Sequence, residues 1–180
     1  KKRRAVYPSQ YKVGNISKKD IREILQNANF APTHRLTQPW FFKVYQNESK
    51  LELADSMVNH YKLTANQKNV SIKEKKIADK CFQSNCIIVV FMNRDHDESI
   101  PEWEEVASTA MAVQNMWLTC VEKNIGCYWS TPSYIQNMGD YFKLKQNQKC
   151  LGFFYMGKFN HGEKVASERN DIFAKTEWFK

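Results

Sequence analysis

The chain has 180 residues, of which 42% are hydrophobic and 26% are charged. This length suits one domain with a hydrophobic core, and this composition excludes a largely disordered chain. The longest apolar run, Cys86 to Met92, is too short to span a membrane, and the net charge of +8 favours an anionic ligand without identifying one.

The first half of the chain contains three predicted helices and one strand. Ser17 followed by Asp20 resembles a capping box, and apolar residues at helical spacing continue the helix to about Phe30, because Pro32 disfavours helix before it. Residues 40–45 are aromatic and β-branched, which predicts a strand. Helical stripes predict two more helices, over residues 48–63 and 71–82.

Strands and helices alternate in the second half. Residues 86–92 are continuously apolar, which is typical of a central strand covered on both faces. Residues 104–124 predict a long helix, buried all round because apolar residues occupy most of its circumference, and ended by Gly126. Strands over 127–130 and 150–157, with a short helix over 133–142 between them, complete a single α+β domain, residues 1–180. We expect the apolar end, Trp178-Phe179, to pack on its own domain or on a second subunit.

The five cysteines lie mostly in apolar segments and form no Cys-x-x-Cys pair, and the four histidines are scattered. These spacings predict no metal site. No charged-then-apolar segment opens the chain. The cysteines therefore indicate reduced core residues of a cytoplasmic protein.

Three patches combine charge, hydroxyl and aromatic groups. They are Arg3-Arg4, His34-Arg35 with Thr37 and Gln38, and Trp129-Ser130-Thr131. Taken singly, each is compatible with solvated arginines, turn hydroxyls or a tryptophan at the edge of the core. Glu102, Glu104 and Glu105 begin the long helix, where carboxylates favour the positive end of the helix dipole, and a general-acid role is the less favoured alternative.

The three patches belong to longer segments, which read "RRAVY", "IREILQNANFAPTHRLTQPWFFKVY", "PEWEEVASTAMAVQNMWLTCVEKNIGCYWSTP" and, further on, "LGFFYMGKF". Taken together, these motifs resemble the nitroreductase family of FMN-dependent oxidoreductases. It is strongest to a small branch whose turn reads Ala-Pro-x-His-x-x-x-Gln-Pro-Trp. Two positions depart from the family pattern, because Ala5 replaces the usual serine and Leu36 replaces an asparagine.

The resemblance implies a nitroreductase-like α+β fold, with a mixed and mostly antiparallel sheet flanked by helices. It also implies an intertwined homodimer with FMN at the subunit interface and the C-terminal arm lying over the partner. Under this resemblance the whole of residues 1–180 is one FMN-binding domain.

The resemblance also assigns cofactor contacts. Arg3 would bind the FMN phosphate, Arg4 would lie along the ribityl chain toward the N1–C2=O edge, and Ala5 would contribute its backbone. His34 would contact the phosphate or ribityl side across the dimer interface, with Thr37 a weaker candidate from the same turn. The isoalloxazine and ribityl would be lined by Trp129, Ser130 and Thr131.

The implied activity is reduction of nitro-aromatic or quinone-like acceptors by NADH or NADPH, with hydride transfer through flavin N5. Because the flavin carries this chemistry, no catalytic acid, base or metal is expected from the protein, and none of the hydrolase or phosphate-loop motifs is present. Two other functions are weighed against it. One is a non-catalytic flavin-binding or sensing protein; the other is a nucleic-acid binder, for which no RNP or helix-turn-helix pattern is present.

Overall fold

The computed structural model describes residues 3–64, 70–160 and 169–179. Its helices are α1 (Lys18–Ala28), α2 (Ser49–Thr64), α3 (Val70–Gln83), α4 (Glu102–Glu122) and α5 (Gly139–Phe142). Its strands are β1 (Trp40–Tyr45), β2 (Cys86–Asn93), β3 (Ile125–Ser130) and β4 (Gln148–Lys158). None of the helices in these ranges is both long and apolar enough to pass through a bilayer.

Most predicted elements are confirmed, and β1 has the predicted bounds. Ser17 caps α1 as predicted, because its hydroxyl accepts a hydrogen bond from the Asp20 amide at 3.0 Å. The predicted helix over residues 133–142 was wrong in one respect. It is split into a 3₁₀ turn (Ser133–Asn137) and α5, because Met138 leaves helical geometry at φ −92° and ψ 13°.

The strands form one sheet in the order β1-β2-β4-β3. Every strand pair is antiparallel, which confirms the antiparallel character of the predicted sheet, and the described ranges contain no parallel pair. The two central strands, β2 and β4, are the continuously apolar segments of the sequence. Their burial on both faces explains why they lack the polar alternation of a half-exposed strand.

Helices cover both faces of this sheet. On one face, Ile88, Val90 and Phe154 pack with buried residues of α1 and α4. On the other face, Val89 and Tyr155 pack with α2 and α3. Alternate residues of one strand therefore enter two separate cores, as the two-residue period of a strand requires. Each large apolar side chain buried in this way contributes about 1.5–3 kcal/mol.

Helix α4 is buried on one side only, so the prediction of a helix buried all round was wrong. Its inner side presents Ala112, Val113 and Met116 to the core. Its outer side carries exposed apolar residues, among them Trp103 (68% exposed) and Leu118 (50% exposed). Because apolar residues occupy both sides of α4, the hydropathy pattern does not indicate which side faces the core. The outer side remains an uncovered apolar surface in the described chain.

The prediction that Gly126 ends α4 was also wrong. The helix stops at Glu122, and Asn124 takes the left-handed conformation at φ 55°. Gly126 lies inside β3, where a Cβ would come within 2.9 Å of Val6 Cγ1 and 3.0 Å of Tyr11 Cε1. The absence of a side chain therefore lets the N-terminal segment lie directly against β3.

All five cysteines are free, as predicted, and four of them are buried while Cys150 is partly exposed. Burial raises the pKa of the Cys81 and Cys86 thiols to about 12, so both stay protonated at neutral pH. The apolar end of the chain is different. Phe173, Trp178 and Phe179 are exposed, so this end does not pack on the described part of its own chain.

Candidate functional site

The N-terminal segment that carries Arg3, Arg4 and Ala5 lies against the C-terminal half of α4. The Arg3 guanidinium is 4.9 Å from the centre of the Trp117 ring, and Trp117 Nε1 donates to the Arg4 carbonyl at 3.2 Å. The Val6 amide donates to the Cys127 carbonyl of β3 at 3.0 Å. Neither guanidinium pairs with a carboxylate among the described residues, so both charges are available to an anion.

The end of β3 lies on the same side of the sheet. Trp129 packs against the core beneath α4, opposite Phe154 in the β3–β4 register. The Trp117 ring meets Phe154 edge-on, with ring centres 5.7 Å apart. Arg3, Trp117, Phe154 and Trp129 therefore form a continuous row from the N-terminal segment to the end of β3. An arginine charge beside flat aromatic rings suits a ligand with both an anionic and a planar part.

Gly152 holds the end of β3 in place. Its φ of +133° suits glycine, and it follows the extra residue of a bulge in β4. A Cβ at this position would lie 2.5 Å from the Ser130 carbonyl oxygen and 2.7 Å from Trp129 Nε1. It would also lie 3.1 Å from Thr131 Cγ2. The predicted trio Trp129-Ser130-Thr131 thus owes its position to the absence of a side chain on the neighbouring strand.

The Trp129 Nε1–H is buried and has no hydrogen-bond acceptor among the described residues. A buried donor without a partner costs about 1–3 kcal/mol. Ser130 is also buried, whereas Thr131 is exposed at the edge of the sheet. The cluster therefore offers cations and hydroxyls, which suit a phosphorylated ligand, whereas the Trp129 N–H lies in the interior against Gly152.

The turn that carries His34 and Thr37 is strained. Arg35, Leu36 and Gln38 have φ values of 50°, 56° and 44°, although none is glycine. Each such residue costs about 1–3 kcal/mol, and strain of this kind concentrates at functional sites. Thr33 shapes the turn, since its hydroxyl accepts from the Gln38 amide at 3.1 Å. It also shares a 3.2 Å hydrogen bond with the Thr37 hydroxyl, so Thr37 already has a structural partner.

His34 reaches the first turn of α4, where its Nδ1 lies 2.6 Å from Glu104 Oε2. The two neighbouring carboxylates pair elsewhere. Glu102 pairs with Lys149 and Glu105 pairs with Arg94. The three acids therefore contact three different bases, besides favouring the helix dipole, the role that their position predicts.

The sequence-predicted residues form two groups. Arg3, Arg4 and Ala5 are linked to the end of β3 through Trp117, which contacts Phe154, the neighbour of Trp129 in the sheet. His34 and Thr37 lie at the other end of the helix. Glu104 and Trp117, which mark the two groups, are about 20 Å apart at the helical rise of ~1.5 Å per residue. One chain therefore does not bring all the predicted residues together.

Sequence reasoning missed four residues that build these two groups. Trp117 and Gly152 position the first, and Thr33 and Glu104 position the second. Gly152 could have been identified from the sequence, because it is the first residue of "GFFYMG", which is part of a motif that carries the resemblance. The partner of Glu104 is 70 residues away in the chain, and no local pattern signals such a contact.

Known proteins share this architecture. The family model described as "Nitroreductase family" matches residues 1–158. The chain is 25% identical over 139 residues to an Escherichia coli K12 protein named "Putative NAD(P)H nitroreductase YdjA", covering 76% of this chain and 74% of that protein. Its fold superposes with a TM-score of 0.86 on a nitroreductase-like family protein from Bacillus cereus, at 26% identity over 99% of this chain and 92% of that one. The FMN-dependent nitroreductase NfnB from Mycobacterium smegmatis, solved with NADPH, superposes with a TM-score of 0.76 at 14% identity, over 99% and 95% of the two chains.

Proposed function

The chain belongs to the nitroreductase family, and from that premise we propose that it is an FMN-dependent oxidoreductase. It takes electrons from NADH or NADPH and passes them to nitro-aromatic or quinone-like acceptors. The name of the Escherichia coli relative supports the nicotinamide reductant. The name of the Mycobacterium smegmatis enzyme, solved with NADPH, supports both FMN and the reductant.

One observation carries this proposal: the Arg3 guanidinium, which no described carboxylate pairs with, lies over Trp117 in a row of aromatic rings that leads to the hydroxyl-bearing end of β3. Arg3 holds the phosphate, because a guanidinium matches a phosphate with two parallel hydrogen bonds. Arg4 places positive charge along the ribityl chain and near the ring edge that gains charge on reduction. Ser130 and Thr131 contribute hydroxyls, and Trp129 lines the site beside them. Ala5 contributes only its backbone.

Bound FMN supplies the electron and hydride chemistry, which leaves the protein to bind, orient and exclude water. The residues around the candidate site agree with that division of labour. The thiols that lie nearest are buried, and burial holds the pKa of Cys127 well above its ordinary value. The protein groups here are therefore donors and cations that hold a ligand, and we assign none of them to acid–base catalysis.

A second copy of the chain completes the site. His34 and Thr37 lie about 20 Å along α4 from Arg3, so they do not reach FMN bound by Arg3 of the same chain. The partner subunit's His34 faces that FMN instead. Two features support a homodimer. The outer side of α4 is apolar and exposed, as is Phe30 at the end of α1. The C-terminal residues Trp178 and Phe179 are also exposed, which is compatible with an arm that lies over a partner.

Reconstitution with FMN tests the proposal. We expect the apoprotein to bind FMN, the flavin absorbance to bleach anaerobically on addition of NADH or NADPH, and the absorbance to return when a nitro-aromatic compound or a quinone is added. Flavin that binds but never bleaches would instead establish a non-catalytic flavin-binding or sensing protein. Failure to take up FMN at any concentration would overturn the proposal.

A further inference from the structure

The hydrogen bond between His34 and Glu104 defines the chemistry of the histidine ring. A carboxylate only accepts hydrogen bonds, so the 2.6 Å contact places a proton on Nδ1 and aims it at Glu104 Oε2. The partner of one ring nitrogen determines what the other can do. Among the described residues Nε2 has no hydrogen-bond partner, and the His34 side chain is 52% exposed. The bond therefore presents Nε2 outward with a fixed ring orientation.

The neighbouring acids show that this pairing is not a general property of the first turn of α4. Glu105 is fully buried, pairs with Arg94 and accepts from the Asp95 amide at 2.8 Å, so it fastens the β2–α4 loop. Glu102 pairs with Lys149 at the start of β4. Glu104 alone contacts the strained turn that carries His34. The His34 side chain is 52% exposed and that of Glu104 is 25% exposed, and a pair on the surface contributes at most about 1 kcal/mol to stability.

We propose that Glu104 is a positioning residue for FMN: it fixes the Nδ1–H form and the orientation of His34, so that Nε2, which is left as an acceptor, faces the ribityl hydroxyls of FMN in the partner subunit's site. This inference rests on the proposed function. It assigns Glu104 a role that helix-dipole stabilisation does not require, because Glu102 provides the same negative charge two residues away and pairs with Lys149 instead of His34.

A double-mutant cycle on the apoprotein tests the inference, with FMN affinity measured by quenching of flavin fluorescence. We expect Glu104→Gln to weaken FMN binding about three- to tenfold, as the loss of an oriented polar contact does. In the His34→Ala background the same substitution has no further effect, because the ring that it orients is gone. Glu102→Gln is the matched control, since it removes an acid from the same turn and leaves FMN affinity unchanged.

A second readout follows the histidine itself. In the parent, we expect the ¹⁵N spectrum of His34 to show a proton on Nδ1. Glu104→Gln should shift the ring toward a mixture of tautomers. Glu104→Asp should restore part of the parent spectrum and of the parent's FMN affinity. Unchanged FMN affinity in Glu104→Gln, or an equal loss in both backgrounds, would overturn the inference while the proposed function stands. If the parent binds no FMN, the proposed function fails first, and the tautomer measurement alone then reports on the His34–Glu104 pair.

Discussion

The two ends of α4 contrast in chemistry. The N-terminal end is polar and ion-paired, with Glu102, Glu104 and Glu105 each bound to a different base. The C-terminal half is aromatic, with Trp117 between the Arg3 guanidinium and Phe154. At the first end, Glu102 and Glu105 pair with cations and Glu104 is hydrogen-bonded to His34, whereas the second end carries Arg3, whose guanidinium no described carboxylate pairs with.

This difference indicates how the site is divided. Under the proposed function, the C-terminal half of α4 binds the anionic part of the cofactor, because the Arg3 guanidinium lies there without a described carboxylate partner. The turn at the N-terminal end carries His34, whose ring Glu104 orients, and the exposed Arg35. In the proposed homodimer each copy therefore contributes one part of the site.

The largest expected effect distinguishes Glu105, which stabilises the fold, from Glu104, which we propose to position His34. Glu105→Ala leaves Arg94 without its buried partner, which costs about 3–5 kcal/mol of unfolding free energy. Glu104→Ala costs less than about 1 kcal/mol, because its pair with His34 is open to solvent. Urea unfolding of both variants measures the difference. Equal losses of unfolding free energy would mean that the two pairs stabilise the fold equally, and that Glu104 does not differ from Glu105 in this respect.

The next effect concerns the C-terminal half. Gly152→Ala forces a side chain onto a residue at φ +133° and against the Ser130 carbonyl oxygen, so we expect a loss of more than about 2 kcal/mol and a shift in Trp129 fluorescence. Gly139→Ala is the matched control, because a Cβ at Gly139 meets nothing within 4 Å. A Gly152→Ala protein as stable as the control would show that β4 can relax away from the end of β3.

The same contrast explains what the sequence could predict. The Ser17 cap of α1 and the bounds of β1 depend on neighbouring residues, and local patterns predicted both. Gly126 was predicted to end α4 because glycine often does, yet the reason for it is the closeness of Val6 and Tyr11, far away in sequence. The buried side of α4 was not predictable, since apolar residues lie on both sides of the helix. The candidate residues came from motif resemblance, whereas their supports, Glu104 and Gly152, depend on tertiary contacts.

FMN affinity should show how much Arg3, beside the C-terminal half of α4, contributes to cofactor binding. Arg3→Ala removes a charged contact to phosphate, so we expect FMN affinity to fall about 10- to 100-fold, with little change in the unfolding of the flavin-free protein. Lys76→Ala is a charge-matched control on α3, across the sheet from the site. Fluorescence titration of each apoprotein with FMN gives the ratio of its dissociation constant to that of the parent. Equal FMN affinity in both variants would remove Arg3 from the site.

Mixed dimers then test whether the two ends of α4 cooperate across subunits. A heterodimer of one Arg3→Ala chain and one His34→Ala chain, isolated with two affinity tags, contains one intact site if the site takes Arg3 from one chain and His34 from the other. We expect it to bind one FMN per dimer with the affinity of the parent, while both mutant homodimers bind weakly. A heterodimer as weak as the homodimers would place both residues of a site in one chain.

The smallest effect lies at the C-terminal end of α4, where Lys123 pairs with Asp20 at 3.1 Å and with Glu23 at 2.7 Å. A hydrogen bond from Ser17 and, after it, Lys123 lower the pKa of Asp20. A carboxyl whose pKa is lowered by folding stabilises the protein above its unfolded pKa, about 3.9, and this contribution is lost as the pH falls through the folded pKa. Asp20→Asn should therefore be less stable than the parent at pH 7, by under about 1 kcal/mol.

The pH dependence distinguishes this pair from an ordinary surface charge. The stability gap between Asp20→Asn and the parent should begin to narrow below about pH 4 and close as the pH falls through the lower pKa of the folded state, where the parent carboxyl is protonated too. Asp79→Asn, which breaks an exposed pair with Lys75 within α3, is the control and should show a smaller gap at pH 7. Urea unfolding at a series of pH values gives both curves. A gap that persists unchanged at low pH would mean that Asp20 acts through packing, and the C-terminal end of α4 would then lack the ionic anchor that the Lys123 contacts suggest.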